Sequence, residues 1–367
     1  MNKIAEIWSR VQQRLFPDLG ECLPGMREEH YRLAIILEVI RIEDHVPPAW
    51  ARWYGRKPSD RKAVARGFVA KVVYKIPTTK ALVERLSVDK NMRAICGWEH
   101  AGQVPSESTF SRAFEAFAKT GLLDEVHEAL VKAYLSDSVV WHVSRDSTAI
   151  EAREKPTCKE KRSAASKYKR GRPRKGEERP AREERRLVRQ RKQSAAVSLT
   201  ELPCACDVGI KPDSKGRKVP WVGYKFHMDI GDNGIPLFAV TTSASLHDGQ
   251  VAIPMAKVTA ERVTSWYDLM DSAYDAKEIR DESRELGHVP IIDTRAKWGN
   301  AGGWGNTTME PDRARRYRNR APMERVNARL KDDCGGRNVR VRGKPKVHTH
   351  LMFGVLVIFA EALLSLL

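Results

Sequence analysis

Apolar residues recur at helical spacing through residues 31–42, 62–74, 79–86 and 108–119, and Pro47, Pro48, Pro58, Pro77 and Pro105 punctuate the intervals. The pattern predicts an all-helical N-terminal domain over residues 1–135. Residues 1–16 read as a polar amphipathic helix with no secretory signal, which points to a cytosolic protein. The stretch Val104-Pro-Ser-Glu-Ser-Thr-Phe-Ser-Arg112 has the form of the start of a recognition helix, with Ser106 or Ser108 as its cap. An ordinary capped bundle helix would carry the same residues.

From Val139 the character changes. Residues 139–146 form an apolar strand that is expected to end at Asp146, and residues 219–230 and 235–242 flank the hairpin signal Gly231-Asp-Asn-Gly234. A helix over 248–261 follows, capped by Asp248 and interrupted early by Pro254, then a short strand at 266–270 leading into Asp271. Asp275-x-x-Glu278 reads as an acidic capping box opening a helix that stops at Gly287. The last strand is 289–292, and the last predicted helix, 322–333, has proline in its first turn. Three antiparallel strands, helix, strand, helix, strand, helix is the succession of a ribonuclease H-like core, an α/β fold with a mixed sheet flanked by helices. It would occupy residues 136–367. There the first and fourth strands are neighbours, about 4.8 Å apart, so Asp146 and Asp271 would approach each other and Glu324 would come alongside from the late helix.

Charge adds a partner. Lys and Arg number 65 against 47 Asp and Glu, a net charge of +18, and 12 of those charges come from 18 Lys/Arg against 6 Asp/Glu between Arg153 and Lys192. Such a concentration favours a polyanion, because each phosphate neutralised releases counterions. Within it, Arg170-Gly171-Arg172-Pro173, followed by Arg174, matches the core of an AT-hook-like minor-groove binder. The plainer alternative is a solvated basic loop that raises affinity without reading sequence. The insert, about residues 153–195, is expected to be poorly ordered without DNA, with 183–192 continuing as a charged helix.

Six cysteines form no C-x-x-C pair, and neither Cys204-x-Cys206 nor His348-x-His350 has a second half at zinc-site spacing, so reduced thiols and no structural metal are expected. Residues 351–367 are strongly apolar, but they contain Glu361 and fall short of the roughly 20 residues a membrane span needs. A core helix packed on the sheet is expected, and no membrane association.

Three carboxylates on separate elements suit a two-metal site, where Mg²⁺ ions about 4 Å apart activate a nucleophile and neutralise the departing oxygen of a phosphodiester. Each has a duller reading. Asp146 could begin a turn, Asp271 could be a loop residue, and Glu324 could favour a helix N-terminus electrostatically. Among other acids, Asp248 and Asp275 read as caps, Asp229 as a hairpin residue and Asp268 as part of a strand. Asp293, after the last strand, is a substitute or accessory ligand.

Around Glu324 the spacing Tyr317, Arg320, Glu324, Lys331 resembles the Y-(2)-R-(3)-E-(6)-K signature of DDE transposases from bacterial insertion sequences. Arg145-Asp146-Ser147-Thr148 and Met270-Asp271-Ser-Ala-Tyr-Asp275 resemble the two aspartate motifs, Gly223-Tyr-Lys-Phe-His227 the strand after the first, and Trp98 with residues 104–114 the helical N-terminal domain. The resemblance implies hydrolytic nicking at element ends, then attack of a 3′-OH on target DNA. It implies Asp146, Asp271 and Glu324 as ligands of two Mg²⁺ ions, with Mn²⁺ able to substitute. Arg320 and Lys331 would hold DNA phosphates and Tyr317 would position the end nucleotides, although Pro322 places Tyr317 and Arg320 before the helix that carries Glu324. Double-stranded DNA, as element end and as target, would be the partner of a cytoplasmic, nucleoid-associated protein that is a homodimer in the DNA complex. Residues 293–323 are too few for the large β-domain some relatives insert there, which weighs against a hairpin-end mechanism. A non-catalytic DNA-binding derivative, or a nuclease of this fold without strand transfer, are the alternatives.

Overall fold

A computed structural model describes residues 25–47, 59–157, 184–212, 216–293 and 309–366, and before them only positions 9, 10, 13, 21 and 23. The AT-hook-like residues Arg170 to Arg174, and most of the helix expected over 1–16, lie outside the described residues.

The chain begins as a bundle: α1 (Glu28–Ile40), α2 (Ile42–His45), α3 (Arg61–Val73), α4 (Thr79–Val88), α5 (Lys90–Cys96), α6 (Glu107–Thr120) and α7 (Leu122–Leu135). Local chemistry sets several boundaries. Thr78 and Asp89 accept hydrogen bonds from Ala81 N and Met92 N at the starts of α4 and α5. Gly121, at φ +70°, separates α6 from α7. Ser106 caps α6 by position, and Phe110, Ala113, Phe114 and Phe117 turn into the bundle.

The remaining elements are β1 (Val139–Glu151), α8 (Arg186–Lys192), α9 (Ala195–Thr200), β2 (Asp207–Pro212), β3 (Lys218–Ile230), β4 (Pro236–Ser243), α10 (Ala252–Arg262), β5 (Thr264–Met270), α11 (Lys277–Glu285), β6 (Val289–Ile292), α12 (Pro311–Tyr317), α13 (Ala321–Asp332) and α14 (Lys344–Leu364). The sheet runs β2-β3-β1-β5-β6, with β4 also on β3. β1 is antiparallel to β3 and parallel to β5, and β5 is parallel to β6. This is the ribonuclease H-like mixed sheet with helices on its faces. β2, absent from the sequence reading, pairs with the first half of β3. Gly223 faces Glu151 on one side and Asp207 on the other, so β2 prolongs the edge that β4 occupies.

Several expectations need correction. β1 does not stop at Asp146. Its pairing with β3 runs from Ser144↔Ile230 to Glu151↔Gly223, which sets Asp146 mid-strand opposite Met228. Asp275 is not a cap: α11 starts after Ala276, and the Asp275 carboxylate receives Arg280 at 2.7 Å. Asp248 begins a 3-10 turn rather than capping α10, and Pro254, in the first turn of α10, interrupts nothing. Asp229 does lie on the β3–β4 hairpin, opposite Phe238, and is fully buried there. Residues 184–195, expected to be poorly ordered, are fixed. Buried Gln190 donates to Gln250 O at 2.9 Å, Lys257 Nζ donates to Gln190 O and Arg191 O, and Arg191 lies among Asp281, Glu282 and Glu285 of α11. An acidic helix face holds the basic segment in place.

α14 is long and apolar enough by composition to cross a membrane, yet it is a core helix. Fourteen of its residues are buried against the bundle and β4, and it is apolar on all sides as such a position requires. A Cβ at Gly354 would meet Cys334 Cβ at 2.7 Å, which fixes how closely the chain after α13 approaches. One continuous core runs from Leu33 of α1 through Met228 of β3 to Leu363 of α14. Glu361 ties the parts together, receiving both Arg32 of α1 and Arg329 of α13.

This core encloses neutral histidines. His127 hydrogen-bonds Pro236 O at 3.0 Å and His350 hydrogen-bonds Gly335 O at 3.2 Å, and burial pushes both imidazoles down to about 4. An unfolded histidine titrates near 6.5. Between those values the unfolded chain binds more protons, so stability falls as pH drops below about 6.5. Each histidine is expected to remove about 2 kcal/mol by pH 5. Urea unfolding of His127→Gln should show a smaller loss between pH 7 and pH 5 than the parent. An unchanged difference would mean His127 is not the responsible group.

Candidate active site

β1 and β5 are parallel neighbours with Arg145 opposite Met270, so Asp146 and Asp271, next along each strand, stand side by side. Asp271 leaves β5 and turns its carboxylate back onto Ala273 N at 2.9 Å, capping the 3-10 turn Ser272–Tyr274. Asp146 receives Asn327 Nδ2 of α13 at 3.2 Å on one oxygen and Arg320 Nη2 at 3.1 Å on the other. Burial pushes the Asp146 carboxyl up to about 6; Arg320 opposes the shift, and Asp271 and Asp248 reinforce it.

Glu324 is not assembled with the two aspartates. Its side chain is 77% exposed and its nearest cation is Arg320, whose Nη1 lies 3.9 Å away. One guanidinium therefore stands between Asp146 and Glu324. Among the described residues no three acidic, histidine or cysteine side chains are close enough to hold an ion together. The donor set nevertheless suits a hard cation, being carboxylate oxygen with a positive group already lodged between two of its members. Three buried polar atoms here have no hydrogen-bond partner among the described residues: Tyr274 Oη, Arg320 Nε and Asn327 Oδ1. Orphaned polar atoms at one spot mark a place where further ligands belong.

Tyr317 ends α12 and Arg320 ends the 3-10 turn Arg318–Arg320, both before α13, as Pro322 at the start of that helix requires. Burial raises the Tyr317 hydroxyl, with Asp293, Asp271 and Asp146 adding to the rise and Arg320 opposing it. Glu324, Asn327 and Lys331 follow along one face of α13 at i, i+3 and i+7. Lys331 is half-buried beyond the carboxylates, beside Lys211 and Arg337.

Sequence reasoning missed three participants. Asn327 could have been found from its spacing to Glu324. Asp248, read as a cap, instead takes Lys225 Nζ at 2.9 Å on the β3 side, close behind Asp146. Tyr274, in the second aspartate motif, is buried facing Asp248, Asp146 and Asp271, and burial first, then those carboxylates, drives its hydroxyl far above the usual tyrosine range. His348 and His350 have structural partners. His348 binds Asp124 and Thr241, each at 2.8 Å, and His350 binds Gly335 O.

Beneath the site, Arg145 and Asp229 form a bidentate buried pair at 2.8 and 2.7 Å, and Thr259 Oγ1 donates to Asp229 at 2.6 Å. Asp268 accepts from buried Ser283 and lies 3.3 Å from His288. These acids are committed to structure and leave Asp146 and Asp271, both half-buried, as the pair open to the site.

A family model described as "Transposase DDE domain" matches residues 141–360, more than half of the chain, and one described as "Transposase domain (DUF772)" matches residues 19–116. No curated protein and no solved structure matches.

Proposed function

The chain belongs to the family of transposases with a DDE domain, and from that premise we propose that it cuts DNA at insertion-sequence ends and joins the freed 3′-OH to target DNA. The observation that carries this reading is the placement of Asp146 and Asp271 directly after Arg145 and Met270, which face each other on adjacent parallel strands, with Asp146 held at a raised pKa near an orphaned Tyr274 hydroxyl. The family is in general dependent on divalent metal. In this chain Asp146, Asp271 and Glu324 would hold two Mg²⁺ ions, with Mn²⁺ able to substitute. When bound, such ions supply Lewis acidity at the scissile phosphate and acidify the attacking water.

The protein's own groups prepare that site. Asn327 and the Ala273 N–H fix the two aspartates in rotation, and Arg320 neutralises Asp146 while no DNA is present. DNA phosphate offers Arg320 another anion. Arrival of the substrate then frees Asp146 and Glu324 together, because one guanidinium holds both. Tyr317 positions the end nucleotides and Lys331 holds a phosphate further along α13. Residues 1–135 serve DNA binding and dimerisation, residues 136–367 the chemistry, and Arg170, Gly171, Arg172, Pro173 and Arg174 an A·T-rich minor groove. The working form is a homodimer on paired ends, in the cytoplasm at the nucleoid.

A labelled element end incubated with Mg²⁺, with Ca²⁺ or with chelator tests the reading. Strand cleavage and joined products are expected with Mg²⁺ and neither with chelator. Equal cleavage in chelator would remove metal-dependent chemistry, and cleavage with no joined product would leave a nuclease.

A further inference from the structure

Between the helical bundle and the end of α13 lies a cleft of about 220 Å³, lined on one side by Phe68, Lys71 and Lys75 and on the other by Lys331, Arg337 and His350. That is room for roughly seven waters at liquid density. It takes no part in the carboxylate chemistry. Two of its cations are neutralised, Lys75 by Asp333 at 2.7 Å and Arg337 by Asp332. Lys71 and Lys331 have no carboxylate within ion-pair distance among the described residues. The same holds for Arg340 and Lys211 nearby. Burial lowers the Lys71 pKa and Arg340 lowers it further; burial lowers that of Lys331, and Lys211 and Arg337 add to the effect while Asp332 and Asp146 oppose it. His350, at the back of the cleft, is kept neutral by burial and by Lys71.

Half-buried ammonium groups crowded together with no carboxylate in ion-pair contact are unfavourable in the free protein, and an anion entering between them relieves both desolvation and repulsion. The partner chemistry follows from position. Lys211 sits on the ribbon made by β2 and β3, Lys331 on α13 and Lys71 on α3, so the cations step from the sheet edge to the helical bundle. A polyanion with evenly spaced charges matches such a line; a small anion would meet only part of it.

We propose that this cleft seats a backbone phosphate of the DNA between Lys71 on one side and Lys331 on the other, with Arg340 near Lys71 and Lys211 near Lys331 extending the contact, so that one strand spans both parts of the protein. The proposal rests on DNA being the substrate. Anisotropy of a short labelled duplex with the full-length protein, titrated over about 50–200 mM salt in chelator to prevent cutting, tests it. Lys71→Gln and Arg340→Gln are each expected to make the slope of log K against log salt shallower by about 1, and the double variant by about 2, whatever the DNA sequence. Lys71→Arg should keep the parent slope. A double variant that is folded by circular dichroism and binds with parent affinity and slope overturns the cleft alone. So does a Lys71→Arg variant as weakened as Lys71→Gln, since that marks a packing role. A parent protein that binds no DNA removes both this site and the reading on which it stands.

Discussion

Asp146→Ala and Asp271→Ala should each lower strand cleavage by about 10²- to 10³-fold, the order that loss of one preorganised electrostatic group costs a reaction. Binding of the uncut DNA should stay at parent strength or rise slightly, because a negative charge leaves a surface that meets phosphate. Glu324→Ala should behave the same way despite its exposed side chain, if the proposed release of Arg320 brings it to the metal. Asn327→Ala is expected to cost less, about 10- to 100-fold, because it orients Asp146 through one bond without touching the reacting atoms. Asp146→Asn adds a readout that a structural aspartate would not give. Burial disfavours the Asp146 carboxylate, so the amide should make the metal-free protein more stable at pH 7 while cleavage is lost. Cleavage and DNA binding lost together in Asp146→Ala, with lowered stability in Asp146→Asn, would place this residue in the scaffold instead.

Much of this site could be read from spacing alone, and the reasons differ by element. β5 and β6 are short, apolar and bounded by breakers, so Asp271 at the end of β5 was legible. β1 was misread at its far end because Ser147, Thr148 and Glu151 look like a turn, whereas pairing with β3 carries them as strand. β2 was invisible for a related reason. Asp207 and Gly209 turn inward while Val208 and Ile210 are exposed, so the buried face of β2 carries no hydrophobic signal. Tertiary charge was the least legible. Nothing local distinguishes Asp229, buried against Arg145, from Asp232, which binds His142 at the sheet's edge. Likewise the spacing of Tyr317, Arg320, Glu324 and Lys331 located a functional helix face, yet it could not show that Arg320 occupies the ground between two carboxylates. Side-chain choice among competing anions depends on what else is bound, and sequence does not encode that state.

The same limit conceals the residue pair on which the geometry of both aspartates depends. Arg145→Met is expected to destabilise the fold by about 3–5 kcal/mol, because Asp229 would be left buried and uncompensated. The side chains of Arg145 and Asp229 are 1% and 0% exposed, and the pair is bidentate with a third bond from Thr259. Asp229→Leu should cost a similar amount through the stranded guanidinium. The double variant Arg145→Met/Asp229→Leu should recover most of the loss, since two apolar groups of comparable volume remove both desolvation costs, although the Thr259 hydroxyl then lacks its acceptor. Urea unfolding of the three proteins at pH 7 measures the coupling. Single variants within about 1 kcal/mol of the parent would contradict a buried, mutually dependent pair. The pair is also expected to act on catalysis indirectly. Arg145 precedes Asp146, its Nη1 lies 3.7 Å from the sulfur of Met270, and Met270 precedes Asp271, so the guanidinium pins the two strands where their carboxylates must meet. A double variant that is stable yet cleaves slowly, with parent affinity for DNA, would separate this positioning from its contribution to folding.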